Sequence, residues 1–162
     1  MAGKRTVQVS RVIPASSEEI WRVLDDTSRY AEWVPQTTEV TRNDGEAVVG
    51  ATYDERNTVV GPIKGSSRWR VAERDPGRYS RHDGEGLPLV TNISIEFRTE
   101  PAGESTEVTS TLRYDPTLGP VGAVIDKLAH GQTVSAQEKA LANLEELVVR
   151  EKSQAAAAAT PR

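Results

Sequence analysis

ATYDERNTVVGPIKGSSRWRVAERDPG, residues 51–77, is the stretch that decides the fold. Residues 51–60 and 63–75 flank Gly61-Pro62, and Asp75-Pro76-Gly77 closes the second run. Glycine reaches positive φ freely and proline presets its own, so the dipeptide reads as a hairpin turn. In the second run Trp69 and Val71 alternate with Arg68 and Arg70. That period of two marks a strand with one apolar face. The first run is not sorted: Tyr53, Glu55, Asn57 and Val59 share a face that mixes polar with apolar groups.

The same pattern continues outward on both sides. Downstream, runs at 78–83, 89–99 and 106–114 are separated by turn residues at 84–88 and 101–105. Ile93, Ile95 and Phe97 share one strand face, and Val108, Leu112 and Tyr114 share another, with Asn92, Glu96 and Arg113 on the reverse. Upstream, 37–42 is followed by a turn at Asn43-Asp44-Gly45, and Val7, Val9 and Ile13 mark a first strand over 5–13. No helical pattern interrupts 36–115, so the strands form an antiparallel meander rather than parallel crossover units.

Helices bracket this meander. Pro14 closes the first strand, and Ser16 with Glu19 forms a capping box ahead of Ile20, Val23 and Leu24. Thr27-Ser28 reads as a new cap for a short helix carrying Tyr30 and Trp33, which Pro35 ends. Residues 118–151 read as one long helix starting at Gly119-Pro120. Its apolar stripe is broken: Val121, Val124, Ile125 and Leu128 share one face, and Val134, Leu141, Leu144 and Val148 share another. The two are rotated by roughly 150°. Ala129, Gly131, Thr133, Ser135 and Ala136 lie between them, which leaves two readings: a kink at Gly131, or a helix crossing a hollow. Residues 153–162 are alanine-rich and are expected to fray as a low-complexity tail beyond a single domain spanning 1–152.

Composition excludes several functions. The chain has no cysteine, so disulfides, thiolate nucleophiles and thiolate metal sites are all absent. A net charge of -4 gives no basic field for a phosphate backbone, so no nucleic-acid partner is expected. No apolar run approaches the roughly 18 residues of a membrane span, so the chain is not read as an integral membrane protein. Met1-Ala2-Gly3-Lys4-Arg5 leads directly into a strand without a secretory signal, which makes the cytoplasm the expected address. Monomer and homodimer both remain open.

Particular stretches carry a family resemblance. These are residues 9–16, Trp21-Arg22-Val23-Leu24-Asp25-Asp26 and Tyr30-Ala31-Glu32-Trp33-Val34-Pro35. Val49-Gly50-Ala51-Thr52-Tyr53, Thr106-Glu107-Val108-Thr109 and Gly119-Pro120-Val121-Gly122 follow. In order and spacing they resemble the START-related helix-grip (SRPBCC) superfamily, in its bacterial polyketide cyclase/dehydrase and lipid-transport branch. The resemblance implies an α+β helix-grip fold: a curved antiparallel sheet of about seven strands, two short helices and a long C-terminal helix. It also implies an internal cavity for a small hydrophobic ligand, without naming the reaction, because the superfamily holds carriers, cyclases, hormone receptors and stress proteins.

The expected lining is Trp33, Tyr53, Trp69, Val71, Ile93, Ile95, Phe97, Leu112, Tyr114, Val121, Ile125 and Leu128. A solid core would use the same apolar faces, so periodicity alone does not separate the two. Candidate proton-transfer groups are Glu55, Arg81 and His130. Glu55 pairs with Asn57, and Arg81 with Asp83, on strands expected to border the cavity. His130 lies beside the small-residue gap of the long helix. His82 reads as an ordinary strand residue, since its side chain and that of Asp83 point to opposite faces. No metal-ligand spacing, serine-nucleophile elbow or phosphate loop occurs, and no cofactor is expected. Three functions follow: a carrier or sensor of a lipid, polyketide or quinone-like molecule, a polyketide aromatase/cyclase, or an interaction module using a sheet edge.

Overall fold

The computed structural model describes residues 4–117 and 119–159, apart from the side chains of residues 60 and 120–123. Its elements run β1 (Arg5–Ile13), α1 (Ser17–Leu24), α2 (Tyr30–Trp33), β2 (Thr37–Asn43), β3 (Thr52–Val60), β4 (Ile63–Asp75), β5 (Tyr79–Glu85), β6 (Val90–Ala102), β7 (Ser105–Pro116) and α3 (Gly119–Ala159). The strands form one seven-stranded antiparallel sheet in the order β1-β7-β6-β5-β4-β3-β2. Strands adjacent in sequence are therefore paired in space, except that β1 returns to pair with β7. This is the curved sheet and long C-terminal helix of the helix-grip α+β fold.

Local chemistry accounts for the elements. The Gly61 turn takes the positive φ of 53° that joins β3 to β4 and sets Tyr53 opposite Trp69. The capping box is complete: the Ser16 N–H donates to Glu19 Oε2 at 2.8 Å, and the Glu19 N–H to Ser16 Oγ at 3.2 Å. Register shifts between β2 and β3, β4 and β5, and β6 and β7 bend the sheet, as added residues in one strand do. Asn92, at φ 49°, lies in the last of these.

Three expectations change. A 3₁₀ turn, Thr27–Arg29, precedes α2 with Asp26 as its N-cap, and neither Thr27 nor Ser28 caps the helix. The Thr27 hydroxyl is instead buried and accepts from Asn43 Nδ2. Gly131 does not break α3, which is one uninterrupted helix. The alanine run is helical through Ala159, because alanine has the highest helix propensity and extends a helix already nucleated by packing.

The solid core lies beneath the second half of α3. Ile13, Ile20, Val23, Leu24, Trp33, Val108, Leu141, Leu144 and Val148 are each at most 2% exposed there. Among the described residues no helix is long and apolar enough to cross a membrane.

Candidate functional site

Beneath the first half of α3 the interior is open. A cavity of about 160 Å³ lies between the helix and the inner face of β3–β7. A cavity of about 150 Å³ is enough to take an aromatic ring. The helix leaves this room because the groups it turns inward are small or polar: Ala129, Thr133 and Gln137, one turn apart, follow Ile125 and Asp126. Thr133 Oγ1 donates to the Ala129 carbonyl at 2.9 Å, and Gln137 Oε1 accepts from Ser110 Oγ at 2.8 Å. Both polar groups are thereby satisfied at the helix–sheet seam. The reading of a helix that crosses a hollow is the one the structure bears out.

Sheet register then sets the walls. At the level of Tyr53, β3, β4, β5 and β6 present Tyr53, Trp69, Gly84 and Ile93 in one row. Gly84 decides how Trp69 lies. A Cβ there would come within 2.7 Å of Trp69 Cζ3, so only glycine lets the indole rest against the β5 backbone. One row toward the hairpin, Glu55 stands opposite Ser67. Beyond it Val59, Leu87, Leu89 and Pro116 border the cavity at the loop ends of the strands.

The mixed face of β3 is where the cavity's polar chemistry gathers. The Trp69 indole N–H donates to Ser67 Oγ at 2.8 Å, and Ser67 Oγ donates to Asn57 Oδ1 at 2.7 Å. Asn57 Nδ2 then donates to Glu55 Oε2 at 3.0 Å, and Thr37 Oγ1 donates to the same oxygen at 3.2 Å. A directed chain of hydrogen bonds therefore ends on one carboxylate, each bond polarising the next. Glu55 is only 4% exposed, and among the described residues no cation forms an ion pair with it. Burial pushes its pKa above the ordinary carboxylate value, and the hydrogen bonds from Asn57 and Thr37 partly oppose the shift.

A second polar group lies deeper. Tyr53 Oη and His82 Nδ1 are 2.7 Å apart, and the Tyr30 ring stands edge-on to Tyr53 at 5.4 Å and stacks on His82 at 6.2 Å. His82 is 1% exposed, and burial lowers its pKa to about 4. At neutral pH it is an uncharged imidazole that fixes the Tyr53 hydroxyl. Burial raises the Tyr30 and Tyr53 hydroxyls above their ordinary values, so both stay protonated.

Of the expected lining, Tyr53, Trp69, Ile93, Ile95, Phe97, Leu112, Tyr114 and Ile125 border the cavity. Trp33, Val71 and Leu128 do not. Trp33 packs edge-on against Tyr30 and Phe97 behind the wall, and its indole Nε1 has no hydrogen-bond partner among the described residues. Val71 faces inward but sits a row deeper, level with His82. Leu128 is 72% exposed, since a stripe at 125, 129, 133 and 137 turns it outward. The side chain of Val121 lies outside the described residues.

Among the candidate acid–base groups, Glu55 alone is in the cavity. Arg81 lies on the outer face of the sheet, paired with Glu73 at 2.8 Å and Asp83 at 3.1 Å. Strand alternation requires this once His82 faces inward. His130 is exposed on α3, about 100° round the helix from Ala129. The sequence reading missed Thr37, Ser67, Gln137 and His82. For Ser67, a polar residue on the apolar strand face of Trp69 and Val71 is the signal that could have found it.

The family model described as polyketide cyclase/dehydrase and lipid transport matches residues 4–149. The chain belongs to that family. Among solved structures it is similar to the Zhui aromatase/cyclase from Streptomyces, at 19% identity and TM-score 0.76, covering 91% of this chain and 95% of that one. A START superfamily protein from Mycobacterium smegmatis aligns at 23% identity and TM-score 0.70, over 90% of this chain and 99% of the other. A Thermus thermophilus protein aligns at 24% identity and TM-score 0.70, covering 91% and 99%. No curated protein matches the sequence. At these identities the structural likenesses establish the fold that family members share.

Proposed function

We propose that the chain binds a small hydrophobic molecule in the cavity under α3, as a carrier or sensor. A lipid, polyketide or quinone-like ring system fits this reading. The observation that carries it is the pairing of an unfilled, aromatic and aliphatic interior with one buried polar cluster. Sites for small molecules are built this way, with apolar walls for affinity and a few placed polar groups for orientation. Native mass spectrometry of the freshly purified chain, with organic extraction of the same sample, is the test. A retained apolar molecule supports the proposal. An empty chain that also takes up no apolar dye overturns it.

One observation favours a second reading, that of a polyketide aromatase/cyclase. Glu55, with its raised pKa, faces the cavity and is suited to carry a proton during aldol closure and dehydration of a poly-β-keto chain. Arg81 and His130 stand away from the cavity and have no part in it. The readings separate in Glu55→Gln. An enzyme loses turnover of a poly-β-keto substrate while still binding it, whereas a carrier has no turnover to lose.

A further inference from the structure

The charges around the cavity are one-sided. Its lining includes two carboxylates, Glu55 and Asp126, and no lysine, arginine or histidine among the described residues. Asp126 is already neutralised, because Arg5 Nε donates to its Oδ2 at 2.6 Å across the seam between β1 and α3. Glu55 has no such counter-charge, and the two close hydrogen bonds to it both fall on Oε2. Burial disfavours the ionised form of a carboxyl in that state, and a cation from outside the chain would hold it ionised.

The surroundings suit a cation as well. Trp69 lies against the Gly84 backbone on one side and borders the cavity, and Tyr53 stands opposite it in the neighbouring strand. Aromatic faces beside a carboxylate attract an ammonium group, the more so where water is excluded. An anionic head would meet the opposite conditions: desolvation, a carboxylate nearby and no positive partner.

We propose that the cavity selects an apolar ligand carrying a protonated amine, whose nitrogen pairs with Glu55 beside Trp69 and Tyr53, and that it rejects carboxylates. The proposal rests on the cavity being a ligand site, and it specifies the chemical class of that ligand.

Benzylamine, benzyl alcohol and benzoate share one ring, sized to the cavity, and differ only in the head. Each is titrated into the ligand-stripped chain and followed by the NMR shift of the Trp69 indole N–H. The expected order is amine first, by about tenfold or more over the alcohol, with benzoate weakest. In Glu55→Gln the amine loses its lead while the alcohol still binds, and in Glu55→Asp the amine stays first. Benzoate binding as tightly as benzylamine overturns the proposal, as does equal binding of amine and alcohol, or an amine preference that survives Glu55→Gln. No binding of any of the three overturns the cavity reading itself.

Discussion

The two halves of α3 face different interiors, although one helix makes both. The second half drives Leu141, Leu144 and Val148 into a closed core, each at most 1% exposed. The first half turns Ala129 and Thr133 toward a hollow and leaves Val124 and Leu128 65% and 72% exposed. Packing stability is therefore concentrated at one end of the molecule and open interior volume at the other. The division teaches that an unfilled interior need not weaken a fold whose core is complete elsewhere.

This division can be broken at four places. The largest effect belongs to the solid end. Leu144→Ala removes a fully buried side chain and should cost about 2–5 kcal/mol, read as a lower urea midpoint. A loss below about 1 kcal/mol would mean that the second half of α3 is not the anchor.

The next effect lies one row behind the wall of the hollow. The imidazole of His82 titrates near 6.5 in the unfolded chain and near about 4 in the fold, so the unfolded state binds the extra proton between those values. The stability tied to this group is complete above pH 6.5, declines as pH falls and levels off below pH 4. The total is about 3 kcal/mol. His82→Gln, which can still hydrogen-bond Tyr53, should remove this segment from a plot of unfolding free energy against pH. An unchanged plot would show that the imidazole is not buried in its neutral form.

Gly84→Ala sharpens the boundary between the regions. The new methyl group collides with the Trp69 ring, and overpacking of this kind costs about 1–3 kcal/mol. The shifted indole should also weaken binding of an apolar dye, measured by fluorescence titration. The smallest change in stability is expected from Ala129→Leu. Its side chain enters the hollow without crowding the core, so the urea midpoint should move by less than about 1 kcal/mol while dye binding falls by about tenfold. A large loss of stability there would mean that the first half of α3 already sits over packed atoms.

Much of this fold was legible in the sequence, because strand faces and helix stripes repeat with fixed periods. The rows Trp69/Val71, Ile93/Ile95/Phe97 and Leu112/Tyr114 all face inward as their alternation required. The run of small residues in α3 left a kink and a hollow both open, and the cavity under Ala129 and Thr133 decides for the hollow. What periodicity does not encode is depth along a face. Val71 and Trp69 alternate in the same sense, yet one adjoins His82 and the other the cavity, a distinction set by strand register. The Glu55 cluster was only half legible for the same reason. Glu55 and Asn57 stand on one strand, but Ser67 and Thr37 reach them from neighbours whose alignment no single strand reveals.

The pairing of β1 with β7 has a consequence for how the chain assembles. Arg5 meets Tyr114 and Ile13 meets Thr106, so the opening strand waits for the closing one before either edge is satisfied. Long-range closure of this kind slows folding, since the entropy of joining distant segments is lost before their contacts form. During synthesis on the ribosome the N-terminal strand therefore stays without its partner until nearly the whole sheet has emerged. The cavity under α3 is therefore enclosed only after the last strand and the long helix have joined the first strand.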